Sequence, residues 1–195
     1  MQTSISIENG WLPGLSRRPS DNYNDRPEGV VVDLLVIHNI SLPPGHFTAD
    51  DDGSDYISEL FCNTLDISAH PAFAELAGLR VSAHFLVSRQ GRVTQYVPLD
   101  KRAWHAGVSR WEGRENCNDF SVGIELEGTD TEPYTDAQYR ALTQLTRLLM
   151  SYYPGMCLER IVGHCDIAPD RKTDPGPAFD WEIFRAALKG SPISR

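Results

Sequence analysis

The chain of 195 residues has no excess of basic residues and no long apolar run. Its 18 Lys and Arg residues against 27 Asp and Glu residues leave a formal net charge of -9. This charge argues against a non-specific nucleic-acid or anionic-membrane partner, because phosphate binding draws on clustered cations. No apolar run approaches the ~20 residues that span a bilayer. We therefore expect neither nucleic acid nor a membrane as a partner.

The amino terminus and the cysteines indicate the compartment. Met1–Gly10 has neither the basic stretch nor the apolar core of a signal peptide. The four cysteines contain no C-x-x-C pair and are too scattered for a secreted disulfide framework. They are Cys62, Cys117, Cys157 and Cys165. A reducing cytoplasm is the predicted location.

The length of the chain suits one domain that buries a core without covalent cross-links. We predict a single domain over residues 1–195, acting as a monomer. Residues 1–29 are rich in turn-forming residues, which predicts an irregular lead-in that packs on the domain through Trp11 and Tyr23. Residues 189–195 are expected to form a flexible tail.

Apolar periodicity predicts an α/β fold in which helices cover a mixed central sheet. The run Val30–Ile37 is typical of a buried strand, and it ends at His38. Residues 81–88 and 92–97 predict a hairpin. The other predicted elements are a helix over 55–63, a strand over 120–127, a helix beginning at Thr135 with a capping box to Gln138, and a last helix beginning at Asp180. A long surface connection over 41–56 carries a solvated acidic turn, Asp50–Asp52, and is expected to face the substrate.

The strongest chemical signal is the segment GHCDIAPDRKTDPGP, Gly163–Pro177, which places His164 and Asp174 in a loop stiffened by proline. A catalytic zinc ion takes three protein ligands and leaves one position to water. His38 is the best third ligand, because the end of a central strand holds it rigidly. Cys165 is the weaker alternative to Asp174, because it directly follows His164 and two adjacent residues rarely bind the same ion. We therefore predict one zinc ion per chain.

Two further residues have the character of catalytic groups. Glu125 stands among apolar neighbours in a predicted core strand, where an ionised carboxylate is costly unless it is paired or functional. This makes it a candidate general base. Lys172 would by default be a surface lysine, but its position two residues before Asp174 favours a role in the site.

The surroundings of the remaining histidines predict different roles. His46 and His70 lie in polar or proline-bounded loops, which favours surface or capping roles. His84 lies in the apolar strand V-S-A-H-F-L, where a hydrogen-bonded, half-buried histidine is the plain structural expectation. His105 follows Trp104 beside small residues, and both a cleft-lining role and a structural role remain open.

Five blocks of the chain resemble a known family. They are VIHNISLPPG, LRVSAHFLV, RAWHAGVS, CNDFSVGIELEGTD and GHCDIAPDRKTDPGP. Together they are similar to the cytoplasmic 1,6-anhydro-N-acetylmuramyl-L-alanine amidases of bacterial cell-wall recycling, which belong to the zinc amidase and peptidoglycan recognition protein superfamily. The resemblance covers residues 10–188. It implies the mixed-sheet α/β fold and a zinc ion held by His38, His164 and Asp174.

The resemblance also implies the reaction. Glu125, the first glutamate of G-I-E-L-E-G, and Lys172 would be catalytic. The bond cleaved would join the lactyl group of N-acetyl-anhydromuramic acid to the L-alanine of the stem peptide, so the expected substrate is an anhydro-muropeptide. In that reaction zinc activates water, Glu125 moves the proton, and Lys172 stabilises the oxyanion.

Matching cleft segments of the family imply substrate-binding positions. They are Asn39, Arg80, His84, Ala103 and Trp104. A relative has arginine where this chain has Asn116, so carboxylate recognition there is either lost or moved to Arg114.

Two other functions compete with the amidase interpretation. A non-catalytic muropeptide-binding sensor would keep the cleft and lack at least one metal ligand, whereas all three are present here. A zinc peptidase acting within the stem peptide is disfavoured because the chain lacks H-E-x-x-H.

Overall fold

The structure is a computed structural model that describes residues 7–47 and 55–193. Its strands are β1 (Ser16–Arg17), β2 (Tyr23–Asp25), β3 (Leu34–Ile40), β4 (Phe85–Val87), β5 (Val93–Gln95), β6 (Lys101–Ala103), β7 (Arg110–Trp111), β8 (Arg114–Glu115), β9 (Ser121–Glu127) and β10 (Ile161–Gly163). Its helices are α1 (Tyr56–Phe61), α2 (Asp136–Tyr152), α3 (His164–Ile167) and α4 (Trp181–Leu188), with 3-10 turns at Pro71–Leu76, Cys117–Asp119 and Leu158–Arg160.

The main sheet of the described residues has six strands in the order β1-β5-β4-β9-β3-β10. The pairing is antiparallel between β4 and β5 and parallel elsewhere. Two small antiparallel pairs, β2–β6 and β7–β8, flank it. The predicted α/β fold with a mixed sheet is therefore confirmed.

The central strands β3 and β9 are buried on both faces, as their apolar sequences require. Val122, Ile124 and Leu126 point into the largest core cluster, which α2 and α4 complete. The register pairs His38 with Glu125. Residues paired across adjacent strands project to the same face of a sheet, so these two side chains share the face opposite that core.

Helix α2 begins as predicted. Thr135 accepts a hydrogen bond from the Gln138 backbone N–H, and the Gln138 side chain accepts one from the Thr135 N–H, which completes the capping box. Leu142, Leu145 and Leu149 are buried against the sheet. Tyr152 continues the same helical spacing of apolar residues but is 43% exposed at the end of the helix.

The predicted first strand began too early. It runs from Leu34 to Ile40 and so also extends past His38, where it was predicted to end. Asp33, directly before the strand, forms ion pairs with Arg114 and Arg160. The predicted hairpin is confirmed, with strands shorter than the predicted ranges.

The two ends of the chain are more ordered than predicted. The lead-in contains β1, which extends the main sheet beside β5, and β2. Trp11 is half-buried, whereas Tyr23 is exposed rather than packed. In the predicted tail, Ile193 packs against the main core cluster. The predicted domain limits stay predictions.

The acidic turn Asp50–Asp52 lies outside the described residues. Within the described ranges, no helix has the length and apolar character required to cross a bilayer.

The predicted helix over 55–63 corresponds to α1, and Asp55 caps it by accepting a hydrogen bond from the Ser58 N–H. The last helix begins as predicted with Asp180 as its cap, although its Trp181 is only half-buried.

Candidate active site

Three potential metal ligands meet at the carboxyl end of the parallel strands. His38 lies near the end of β3, and His164 follows directly after β10, the neighbouring strand. The carboxyl ends of parallel strands share one edge of the sheet, so the two histidines approach each other from adjacent positions. Asp174 comes from the loop after α3, whose backbone folds back so that the Cys165 N–H donates to the Asp174 carbonyl.

The three ligand atoms form a nearly equilateral triangle. His38 Nδ1 lies 3.0 Å from His164 Nδ1 and 3.0 Å from an Asp174 carboxylate oxygen, and His164 Nδ1 lies 3.1 Å from that oxygen. Ligands of a tetrahedral zinc ion at 2.0–2.1 Å lie roughly 3.3 Å apart. Among the described residues, this is the one group of three such side chains that converge on a common point.

The protonation of these residues suits a cation. His164 Nε2 lies 3.1 Å from the Ala106 carbonyl and must donate to it, so Nδ1 can offer its lone pair to a metal. Burial lowers the pKa of His38 to about 4, which favours the neutral ring. Burial would raise the pKa of Asp174, but the two adjacent histidines outweigh it and hold the pKa below its ordinary value. Two histidines and a carboxylate are a typical catalytic zinc set.

Glu125 lies beside this triangle on the neighbouring strand. Its Oε2 atom is buried and has no hydrogen-bond partner among the described residues. Burial raises the pKa of Glu125 well above its ordinary value, and the negative charge of Asp174 adds to the rise. The positive charge of Lys172 acts in the opposite direction, so the two groups interact across the site. An unpartnered carboxylate of this kind is a feature of functional sites.

The loop that carries Lys172 and Asp174 is anchored to the body of the domain. The Tyr134 hydroxyl donates to the Pro175 carbonyl at 2.8 Å, and the Lys172 N–H donates to the Ala168 carbonyl. Cys165 is not part of the ligand triangle, and burial raises the pKa of its thiol, which disfavours the thiolate that metals require. The fit therefore favours Asp174 over Cys165.

Comparison with known proteins identifies the family. Residues 26–177 match the family described as N-acetylmuramoyl-L-alanine amidase. The chain belongs to this amidase family. It is 61% identical over 182 residues to the 1,6-anhydro-N-acetylmuramyl-L-alanine amidase AmpD of Escherichia coli K12, which covers 93% of this chain and 96% of that protein. The predicted family and enzyme class are thus confirmed.

Solved structures agree with the amidase fold. A crystal structure of a selenomethionine AmpD derivative is 56% identical, with a TM-score of 0.88, and the match covers 94% of this chain and 99% of that one. The Escherichia coli amidase AmiD, solved in complex with the substrate anhydro-N-acetylmuramic acid-L-Ala-D-gamma-Glu-L-Lys, is 32% identical, with a TM-score of 0.58. That match covers 85% of this chain and 61% of AmiD.

Two of the substrate-binding positions predicted for the amidase are fully buried. His84 and Ala103 have no exposed surface, which disfavours direct contact with a substrate, and both assignments stay predictions. His84 Nδ1 accepts from the Gly123 N–H, which leaves the proton on Nε2 to be donated to the Lys101 carbonyl. The expected hydrogen-bonded histidine is therefore present but more deeply buried than predicted, and only the first residues of its family segment, Leu79–Val81, have appreciable exposure.

The other predicted substrate contacts of the amidase keep some exposure. Asn39 is half-buried at the end of β3 and donates to the Asp130 carboxylate at 2.9 Å. Trp104 is half-buried, and its indole N–H donates to the Asn24 side chain at 2.7 Å. Arg80 is exposed and lines a surface depression of about 170 Å³. None of the three metal-ligand candidates lines this depression. The three assignments stay predictions.

Arg114 is not free to replace the arginine missing at Asn116. Its guanidinium donates to both carboxylate oxygens of Asp33, at 2.9 and 3.2 Å, and stacks on the Phe120 ring. These contacts give Arg114 a structural role at the amino end of β3. Of the two possibilities left open by the sequence, these contacts disfavour movement of carboxylate recognition to Arg114, and the question stays a prediction.

Sequence reasoning missed Arg26 and left the role of His105 open, and both residues support the amidase site. Arg26, within the predicted irregular lead-in, donates to the backbone carbonyls of Asn118, Asp119 and Ser121, and its burial lowers its pKa to about 10. His105 is buried beside His38 rather than lining a cleft. A glycine inside the apolar strand β9, Gly123, was the available signal, because strand glycines mark a close approach by another group.

Proposed function

We propose that the chain hydrolyses the amide bond between the lactyl group of N-acetyl-anhydromuramic acid and the L-alanine of the stem peptide, with zinc as cofactor. The observation that carries this proposal is the triangle of His38, His164 and Asp174 beside an unpartnered Glu125. The names of the relatives support the bond assignment, because the AmpD enzyme of Escherichia coli is a 1,6-anhydro-N-acetylmuramyl-L-alanine amidase.

The proposed cofactor supplies one kind of chemistry. When bound by the three ligands, zinc would lower the pKa of a water molecule and polarise the lactyl carbonyl. The donor set of two histidines and one carboxylate supports this choice over a calcium or magnesium ion, which prefer oxygen ligands.

Glu125 is the proposed proton carrier. As water attacks the lactyl carbonyl carbon, Glu125 accepts a proton from the water and then delivers it to the alanine nitrogen as the C–N bond breaks. Its raised pKa supports both halves of this role, because a carboxyl group whose pKa lies nearer the working pH both accepts and releases a proton readily.

Lys172 is the proposed electrostatic partner. Its ammonium group would stabilise the negative charge that develops on the carbonyl oxygen in the transition state. Lys172 is half-buried, and its charge limits the rise in the pKa of Glu125, which supports a place for both groups in one site.

A non-catalytic muropeptide sensor is the alternative, and the geometry disfavours it. Recognition alone needs neither three converging ligand atoms nor a buried carboxylate oxygen without a partner, and such an oxygen lowers stability.

The direct test is to incubate the zinc-loaded protein with purified anhydro-muropeptides and, separately, with intact sacculi. Mass spectrometry should detect free stem peptide and N-acetyl-anhydromuramic acid from the first. Bound but uncleaved muropeptide would favour the sensor.

Replacement of Lys172 by Ala should lower kcat by about 10²- to 10³-fold, the range for removing one donor to an oxyanion. The loss should fall mainly in kcat rather than in KM, because the charge matters most in the transition state. Lys172→Arg, which keeps a cation, is the matched control and should retain more activity. Steady-state kinetics with zinc content measured on the same preparations checks this, and an unchanged kcat in Lys172→Ala would remove Lys172 from the mechanism.

We also propose that the enzyme is a cytoplasmic monomer acting on small imported muropeptides. All four cysteines are free thiols, which supports a reducing compartment. Cell fractionation followed by immunoblotting should recover the protein with cytoplasmic markers, and light scattering should return the mass of one 21.8 kDa chain. Recovery from the periplasm would contradict the proposal.

A further inference from the structure

A single two-residue segment contacts both histidine ligands on the side away from the proposed metal. His38 Nε2 lies 2.9 Å from His105 Nδ1, and His164 Nε2 donates to the carbonyl of Ala106 at 3.1 Å. The segment follows β6 and is not covalently close to either ligand. The same two-residue segment therefore contacts both rings, through the His105 side chain and through the Ala106 backbone carbonyl.

The segment His105–Ala106 is itself fixed by hydrogen bonds. The Asn118 side-chain oxygen accepts from the backbone N–H of His105 at 3.1 Å and from that of Ala106 at 2.8 Å. Arg171 donates to the Ala106 carbonyl at 2.8 Å from the loop that carries Asp174. A segment held from two sides can position the groups that rest on it.

The His105 ring fits closely against β9. It packs on Gly123, where an added Cβ would lie 2.4 Å from the His105 Cγ atom, so the strand has a glycine where the ring passes. His105 Nε2 lies 3.2 Å from the Ser121 hydroxyl. Both ring nitrogens therefore have a polar neighbour, and the ring has a fixed orientation.

The arrangement determines where the protons lie. A His38 ring that offers Nδ1 to a metal carries its proton on Nε2, and this N–H must be donated to an acceptor. His105 Nδ1 is at the required place, so the His105 proton lies on Nε2, directed at the Ser121 oxygen. Metal-binding histidines usually have such a partner, more often a carboxylate or a carbonyl than a second imidazole.

We propose that His105 is a positioning residue for the zinc site: its Nδ1 accepts the Nε2–H of His38 and so holds the His38 ring with Nδ1 directed at the metal. The inference rests on the proposed zinc-dependent function. It predicts that zinc affinity depends on a hydrogen-bond acceptor at residue 105, and not only on a side chain that fills the space over Gly123.

The matched variants His105→Leu and His105→Asn separate these two roles. Leu and Asn have nearly the same size and shape, but only Asn can place an acceptor oxygen near the position of the histidine Nδ1. His105→Leu should weaken zinc binding by about 10- to 100-fold, the usual effect of losing a partner of a metal ligand. His105→Asn should recover most of that loss. Zinc affinity is measured by competition with a chromophoric chelator, with thermal unfolding of both metal-free variants as the check on folding.

The outcomes distinguish the inference from the function on which it rests. Equal zinc affinities for His105→Leu and His105→Asn would overturn the positioning role, while zinc binding by the unaltered protein would still support the proposed function. Failure of the unaltered protein to bind zinc would reject the proposed function itself.

A measurement on the unaltered protein does not depend on how the variants fold. Nitrogen-15 NMR of the zinc-loaded protein should find the ring proton on Nε2 in both His38 and His105. A His105 ring protonated on Nδ1 cannot accept from His38, and that result would overturn the inference.

Discussion

Replacement of Glu125 by Gln is expected to lower turnover of anhydro-muropeptide by about 10²- to 10⁴-fold, the contribution typical of a positioned general base. The amide has the shape of the carboxylate but accepts no proton at neutral pH. Zinc content and circular dichroism should not change, because Glu125 lies outside the ligand triangle and makes no hydrogen bond through Oε2 among the described residues.

The same variant should be more stable than the parent at neutral pH when both are free of metal. An ionised Glu125 is costly because its Oε2 atom is buried without a partner among the described residues, and its folded pKa lies above the unfolded value of about 4.3. The folded state then binds more protons than the unfolded state between these two pKa values, so stability falls as the pH rises through that window. The gain in melting temperature from Glu125→Gln should therefore be present at pH 7 and absent at pH 4.

Glu127 provides a matched control for Glu125, because it lies two residues further along β9 and on the same face of the sheet. Glu127 is fully buried, and its side-chain oxygen accepts from the Arg89 N–H at 2.9 Å, a bond that glutamine can also accept. Glu127→Gln should keep near-normal turnover. If Glu125→Gln also kept it, the base would have to be sought elsewhere, and neither Glu127 nor the fully buried His84 is placed to replace it.

Loss of either histidine ligand should abolish both stoichiometric zinc and activity. In His38→Ala or His164→Ala the remaining two ligands cannot complete the site, and the half-buried Asp174 loses one of the two histidines that lower its pKa. Atomic absorption after dialysis should find about one zinc per chain in the parent and little in the variants. Full occupancy in either variant would reject that residue as a ligand.

Thermal unfolding gives a second test of zinc binding at this site. A ligand that binds only the folded state stabilises it by about 2.7 kcal/mol at a concentration of 100 Kd. Added zinc should therefore raise the melting temperature of the parent and leave that of His38→Ala nearly unchanged. His70→Asn is a suitable control, because His70 caps a 3-10 turn outside the triangle and asparagine can cap it as well. It should respond to zinc as the parent does.

The sequence predicted those features that depend on local pattern. The apolar runs of β3 and β9, the capping box of Thr135 and the turn of the β4–β5 hairpin each follow from a few adjacent residues, and the structure contains all of them. The three candidate ligands could also be identified from the sequence, because their residue types are unusual at a strand end and in a proline-rich loop.

Features that depend on contacts between distant segments were not predictable in this way. His105 contacts His38 across 67 positions of the chain, and Arg26 reaches carbonyls more than 90 positions away. No spacing rule connects such pairs. Resemblance to a cleft segment likewise identifies the segment and not which of its side chains are exposed, and His84 within such a segment is fully buried.

The pairing of His38 with Glu125 across β3 and β9 has a consequence for how such enzymes diversify. Neighbouring strands are held about 4.8 Å apart by backbone hydrogen bonds, so the spacing of ligand and base is set by the sheet and not by any connecting loop. Insertions and deletions in the segments after each strand can alter which molecules enter the cleft without moving this pair. A protein engineer could exchange those segments to change substrate range, whereas a one-residue shift in strand register would separate the two groups and leave no reactive centre.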